Sequence, residues 1–127
     1  MTPRRREVVT GSLALGLAGA TLSTVAGAPP MYGLIGKMKA APGQRDALID
    51  ILLKGVSGMP GCLSYVVAQA PDDADVIWIT EVWDSAESHK ASLQLPSVKD
   101  AITKGRPLIA AFESHVETTP VGGHGLE

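Results

Sequence analysis

Nine consecutive positions, Glu81-Val82-Trp83-Asp84-Ser85-Ala86-Glu87-Ser88-His89, bring together a carboxylate, an indole and an imidazole. Imidazole is the side chain whose ordinary titration lies near neutrality, so it can accept a proton and give it back. If a helix opens at Asp84, then Ala86, His89 and Leu93 recur at helical spacing and place the ring on the apolar side, facing whatever the helix covers. His89 is then a candidate catalytic base, or the hydrogen-bond partner that orients the reacting group. Tyr65, Trp78 and Trp83 are candidate walls of the pocket it would serve. The alternative is a satisfied interior histidine bonded to a backbone carbonyl or to Glu81, with both tryptophans in the core or in an interface between copies. The tryptophans are an odd number of positions apart, so on one strand they face opposite ways, Trp83 with Glu81 and Trp78 with Thr80.

Other constellations carry less. His115, flanked by Glu113 and Glu117, would offer three metal-binding side chains on one strand face, although a polar strand face needs no metal to explain it. The three aspartates of Ala70-Pro71-Asp72-Asp73-Ala74-Asp75 read as turn formers rather than a calcium loop, since no further ligands follow at a regular spacing. His124 lies in a glycine-rich tail. Cys62 is the only cysteine, which rules out an intramolecular disulfide and reads as a small apolar residue after the Pro60-Gly61 turn. The chain has no G-x-S-x-G, H-E-x-x-H or C-x-x-C motif and no glycine-rich phosphate loop, so hydrolase, zinc protease, redox disulfide and nucleotide readings lack residues.

The elements that must position these groups follow from periodicity. Residues 31–39 alternate as a strand, with Met31, Gly33 and Ile35 on one face and Tyr32, Leu34 and Met38 on the other. Leu48, Ile49, Leu52, Leu53 and Val56 form the stripe of a helix over 43–57, ended by Gly58 and Pro60-Gly61. Residues 62–69 and 76–83 are rich in branched and aromatic types and read as strands. Asp84 with Glu87 suggests the cap of a second helix. Leu95-Pro96 interrupts that helix, and Ser97 with Asp100 suggests a new cap beyond the break. Phe112 to Thr118 alternates as a last strand, with Phe112, Ser114 and Val116 on one side and Glu113, His115 and Glu117 on the other. The order strand, helix, strand, strand, helix, strand predicts an α+β, ferredoxin-like four-stranded antiparallel sheet with two helices on one face. Both faces of strands 62–69 and 76–83 are apolar. A sheet with one face in water would alternate more cleanly, so a second copy is expected to cover the helix-free face, giving a dimeric α+β barrel.

The first 28 residues read as an address. Arg4-Arg5-Arg6, two apolar residues after Glu7, an uncharged run from Thr10 and the small-x-small Ala26-Gly27-Ala28 resemble a cleavable twin-arginine export signal. This makes residues 1–28 the signal, 29–119 the domain and 120–127 a tail, and predicts a periplasmic or extracellular protein that meets a membrane only through an uncleaved signal. Removing the signal takes three arginines and one glutamate from the 11 basic and 13 acidic residues, leaving a net charge of about −4. Nothing basic remains to hold a nucleic acid backbone. A domain of about a hundred residues is small enough to gain from oligomerisation.

The run from Met59 through Ile109, with its Pro60-Gly61-Cys62 turn, Glu81-Val82-Trp83-Asp84-Ser85 strand end and Glu87-Ser88-His89 helix start, followed by Val116-Glu117-Thr118-Thr119-Pro120-Val121-Gly122-Gly123, resembles the antibiotic biosynthesis monooxygenase family. The resemblance is to its quinol-type members and covers most of residues 31–124. It implies a homodimer that oxygenates small electron-rich aromatics, quinols or anthrones, with dioxygen and without metal, flavin or haem. On that expectation His89 is the catalytic residue, and Tyr65, Trp78 and Trp83 bind substrate. The haem-degrading relatives on this scaffold use a histidine and a tryptophan in the second helix, and the corresponding Lys90–Leu95 and Val98–Gly105 contain neither. The competing readings are an exported binding protein for a small aromatic or haem-like ligand, and an inactive dimerisation scaffold.

Overall fold

The computed structural model describes residues 27–126, so nearly all of the expected export signal lies outside the described residues. Four strands form one antiparallel sheet: β1 (Tyr32–Ala40), β2 (Cys62–Gln69), β3 (Val76–Trp83) and β4 (Ile109–Thr118), in the spatial order β2-β3-β1-β4. This is the ferredoxin-like order, with β1 and β3 central and β2 and β4 at the edges. Helices α1 (Arg45–Gly55), α2 (Ala86–Ser92) and α3 (Pro96–Gly105) follow the β1, β3 and α2 segments, and a 3-10 turn, Arg106–Leu108, leads into β4.

The second helix of the sequence reading is two helices. Pro96 stands at the first position of α3, where its missing N–H costs nothing, and Leu95 ahead of it is extended. No side chain caps α3, so the expected Ser97 cap is not used. At the start of α2 the cap is Ser85, not Asp84: its Oγ accepts from the Ser88 N–H at 3.1 Å.

Strand register assigns the faces. On the helix side, Tyr65, Glu81, Leu34 and Glu117 form one cross-strand row, and Gln69, Ile77, Met38 and Phe112 another. Leu48 of α1 closes over Ala40, Ile77 and Ile79 to make one core cluster; Met59, Trp83 and Val98 make a second. The last strand departs from simple alternation. A β-bulge opposite Lys37 and Met38 pairs Phe112 with Met38, which turns Phe112 to the helix side. Glu113 turns the other way, with its carboxylate 3.5 Å from Lys37 Nζ. Edge strands commonly carry such bulges. The strand face expected to carry Glu113, His115 and Glu117 together is thereby split, and among the described residues no group of three metal-binding side chains converges.

The acidic turn between β2 and β3 uses its carboxylates as backbone acceptors. Asp73 Oδ1 takes the Asp75 N–H at 2.9 Å, and Asp75 Oδ1 takes the Gly43 N–H at 3.2 Å. Arg45 Nη1 holds the same turn through the carbonyls of Ala70 and Asp73, at 3.2 and 2.8 Å. Among the described residues no helix is long and apolar enough to cross a membrane.

Gly61 positions α2. Its φ is +82°, and a Cβ there would stand 2.5 Å from Ser88 Oγ and 2.8 Å from Asp84 Oδ1. Left-handed backbone and steric crowding act in the same direction, so Gly61→Ala is expected to lower unfolding free energy by about 2–4 kcal/mol, read from urea denaturation. An unchanged midpoint would show that α2 is free to shift.

Candidate active site

Trp83 is the last residue of β3 and is almost wholly buried, so the strand end is a fixed point. Tyr32 is its cross-strand partner on β1. His89, in the last turn of α2, lies against both rings: 5.4 Å between centroids and edge-on at 74° to Trp83, 5.2 Å and tilted at 36° to Tyr32. Two residues back from Trp83 on the same face is Glu81. Its Oε1 accepts from Trp83 Nε1 at 2.9 Å and stands 3.9 Å from His89 Nε2. That separation is too long for a hydrogen bond. It is short enough for an imidazolium, once formed, to be stabilised by the carboxylate.

Burial pushes the Glu81 carboxyl above the usual carboxylate range, although the Trp83 hydrogen bond and the proximity of His89 and His115 pull the other way. Burial likewise raises Tyr65, whose ring lines the same space. Because the native state holds the Glu81 proton more tightly than the unfolded chain, the linked stability is present at low pH. It is lost as pH rises from about 4.3, the unfolded value, through the raised folded value. Glu81→Gln keeps an acceptor for Trp83 and removes this slope. Its melting temperature is expected to gain on wild type between pH 4 and pH 7; parallel curves would mean that Glu81 is solvated.

Glu81 and His89 open onto a cavity of about 240 Å³ between the sheet and the helices. Its walls are mostly apolar, including Met38, Leu48, Leu52, Val98 and Phe112; its polar lining is Tyr65, Glu81, His89, Ser92 and Arg106. Ser92 Oγ is already committed, donating to the His89 carbonyl at 2.6 Å. Phe112 remains 74% exposed, on the rim.

Three of the four residues singled out from the sequence therefore share this space: His89, Tyr65 and Trp83. Trp78 does not. It lies on the helix-free face with Lys37 Nζ 5.5 Å from its ring centroid. In the sequence, Glu81 stands only as an alternative partner for a structural histidine. A lone carboxylate in the otherwise apolar series Ile77, Ile79, Glu81, Trp83 was the signal for a larger role. Nothing in the sequence marked Phe112 as a rim residue, because the bulge that turns it depends on pairing with β1. Cys62 is half-buried, and burial raises its thiol.

A partly buried carboxylate thus stands beside an imidazole, both facing a small, mostly apolar cavity on a ferredoxin-like sheet. The chain belongs to the antibiotic biosynthesis monooxygenase family, whose model matches residues 31–104. A candidate antibiotic biosynthesis monooxygenase from Chloroflexus aurantiacus J-10-fl is 76% identical, with a TM-score of 0.75 over 76% of this chain and 99% of that one. Candidates of the same description from Nitrosomonas europaea (13% identity, TM-score 0.68, 76% of this chain and 96% of that one) and Caulobacter crescentus CB15 (20%, 0.64, 75% and 93%) share the fold. Among proteins of curated function none matches.

Proposed function

We propose that this protein is a cofactor-independent monooxygenase that oxidises a small electron-rich aromatic, of the quinol or anthrone type, with dioxygen. The observation that carries the proposal is the Glu81–His89 pair at the wall of a mostly apolar cavity. The family's general monooxygenase character supports it. A quinol and one dioxygen give one hydroxylated quinone and one water, so the substrate supplies all four electrons that dioxygen takes. What the protein must add is a proton acceptor, a dry space and compensation for developing charge.

The His89 imidazole takes the phenolic proton, leaving an anion able to pass an electron to dioxygen. Glu81 holds the resulting imidazolium until the proton is returned to the reduced oxygen. Tyr65 and Trp83 offer aromatic surface to the ring. The cavity, at about 240 Å³, lies below the roughly 300–1,000 Å³ typical of drug-sized ligands, which favours a compact ring system over a haem. Oxygen uptake with reduced naphthoquinones and anthrones, and one ¹⁸O atom in the product from ¹⁸O₂, tests the proposal. Ligand binding without uptake points instead to a binding protein.

We propose further that the chain works as a homodimer through its helix-free face, where Ile35, Val66, Trp78 and Val116 are each at least a third exposed. Export is proposed from the sequence alone: Arg5→Lys with Arg6→Lys is expected to leave the full-length precursor in the cytoplasm, checked by fractionation. Mature protein outside the cell despite both changes would overturn it.

A further inference from the structure

His89 is held by two rings, and each ring is tied at its polar end to a carboxylate. Trp83 Nε1 donates to Glu81 at 2.9 Å, and Tyr32 Oη donates to Glu117 at 2.5 Å. The first carboxylate faces the cavity. Glu117 and Tyr32 are not among the residues that line it. They come from β4 and β1, 85 residues apart in sequence, and the register that pairs Leu34 with Glu117 brings the carboxylate beside Tyr32. Tyr32 is only partly buried, so packing against the Trp83 cluster constrains its ring less than it would a core ring. Anchored, it is a fixed wall 5.2 Å from the imidazole.

We propose that Tyr32 and Glu117 form a positioning pair: Glu117 fixes the Tyr32 ring, and the ring presses His89 against Trp83 so that Nε2 stays directed at Glu81. Glu117 raises the Tyr32 hydroxyl to about 12, as expected of the donor in this hydrogen bond. The bond is solvent-exposed, so what it contributes is the direction of the ring rather than stability. The groups facing His89 are then Tyr32 from β1, and Glu81 and Trp83 from β3. Neither Tyr32 nor Glu117 exchanges a proton with substrate.

The role rests on the reading of His89 as a base, but its test does not depend on turnover. Tyr32→Phe and Glu117→Ala remove opposite ends of one bond, and each is compared with the double variant. In the full chain with ¹³C-labelled histidine, the wild-type His89 ring protons should show one set of signals, displaced by the ring currents of Tyr32 and Trp83. Either variant should broaden or move them, the double variant should add nothing, and Glu117→Gln, which retains an acceptor, should restore most of the wild-type pattern. On an oxidised aromatic, kcat should fall roughly tenfold with KM unchanged, because misplacing a catalytic group leaves ground-state binding intact. Melting temperatures verify that each variant is folded.

His89 signals identical in wild type, Tyr32→Phe and Glu117→Ala would overturn the pair, as would additive effects in the double variant. Moved signals in a protein that oxidises no aromatic would leave the pair standing and remove the monooxygenase reading.

Discussion

His89→Ala is expected to lower kcat for the proposed quinol or anthrone oxidation by about 10²–10⁴-fold, the usual contribution of a positioned general base. The imidazole is set between two rings on a helix whose start is pinned by Ser85 and whose approach is allowed by Gly61. Its Nε2 is 3.9 Å from the one carboxylate that lines the cavity. When His89 accepts the substrate proton, a new ion pair forms in a partly buried setting. At that separation and an effective dielectric of about 20 the attraction is on the order of 4 kcal/mol before desolvation, so part of it is available to lower the barrier. Glu81→Gln keeps the Trp83 hydrogen bond and loses only the charge, so its kcat should fall by a smaller factor, roughly 10- to 100-fold. KM should move little in either variant, since Tyr65, Trp83 and the aliphatic walls remain. Initial rates of oxygen uptake at saturating substrate measure both. A His89→Ala protein with wild-type rates would remove the imidazole from the chemistry, and equal losses in the two variants would make the charge pair, rather than the base alone, the working unit.

The architecture was legible because its signals are local. Branched residues over 62–69 and 76–83, the three-and-four spacing from Leu48 to Val56, and Pro60-Gly61 each specify an element without reference to the others. The faces of β1 and β3 followed from alternation, and so did the separation of Trp78 from Trp83. What escaped depends on pairing between distant segments. The bulge that moves Phe112 to the cavity rim and Glu113 to Lys37 exists only in the register of β4 against β1. The same register brings Glu117 to Tyr32, so strict alternation from Phe112 to Thr118 concealed both. The cap of α2 depends on a distant segment as well. Asp84 and Ser85 are adjacent and both suited to the position, and the backbone hydrogen bond from the Asp84 N–H to the Gly61 carbonyl, which decides between them, ties the strand end to a turn more than twenty residues earlier. Glu81 was visible as a carboxylate on an apolar face, but its weight became clear only when Trp83 and His89 were found to converge on it.

Trp78→Glu converts the proposed dimer to a monomer at micromolar concentration, with the dissociation constant rising at least about 10³-fold. The helix-free face is organised in cross-strand rows that register defines: Val66, Thr80, Ile35 and Val116 in one, Ala68, Trp78, Lys37 and Ser114 in the next. The first row is apolar at three of four positions and runs from edge to edge of the sheet. Trp78 is 37% exposed although β3 is a central strand, and Val66 on the neighbouring edge strand β2 is 51% exposed. Lys37 lies over the indole and is itself drawn toward Glu113, which shields part of the ring and leaves the aliphatic row uncovered. Two such faces related by a twofold axis present each residue twice, so one substitution enters the interface at two places. A central tryptophan contributes on the order of 2 kcal/mol or more to an interface. Two losses of that size, together with two buried unpaired carboxylates, exceed the roughly 4 kcal/mol that a 10³-fold change requires. The cavity with His89 lies on the opposite face, so the monomer should retain its secondary structure and its His89 signals. Sedimentation velocity reads the outcome. A wild-type protein that sediments as a stable monomer would leave this apolar face without its proposed partner, and a Trp78→Glu protein that remains dimeric would move the interface elsewhere on the molecule.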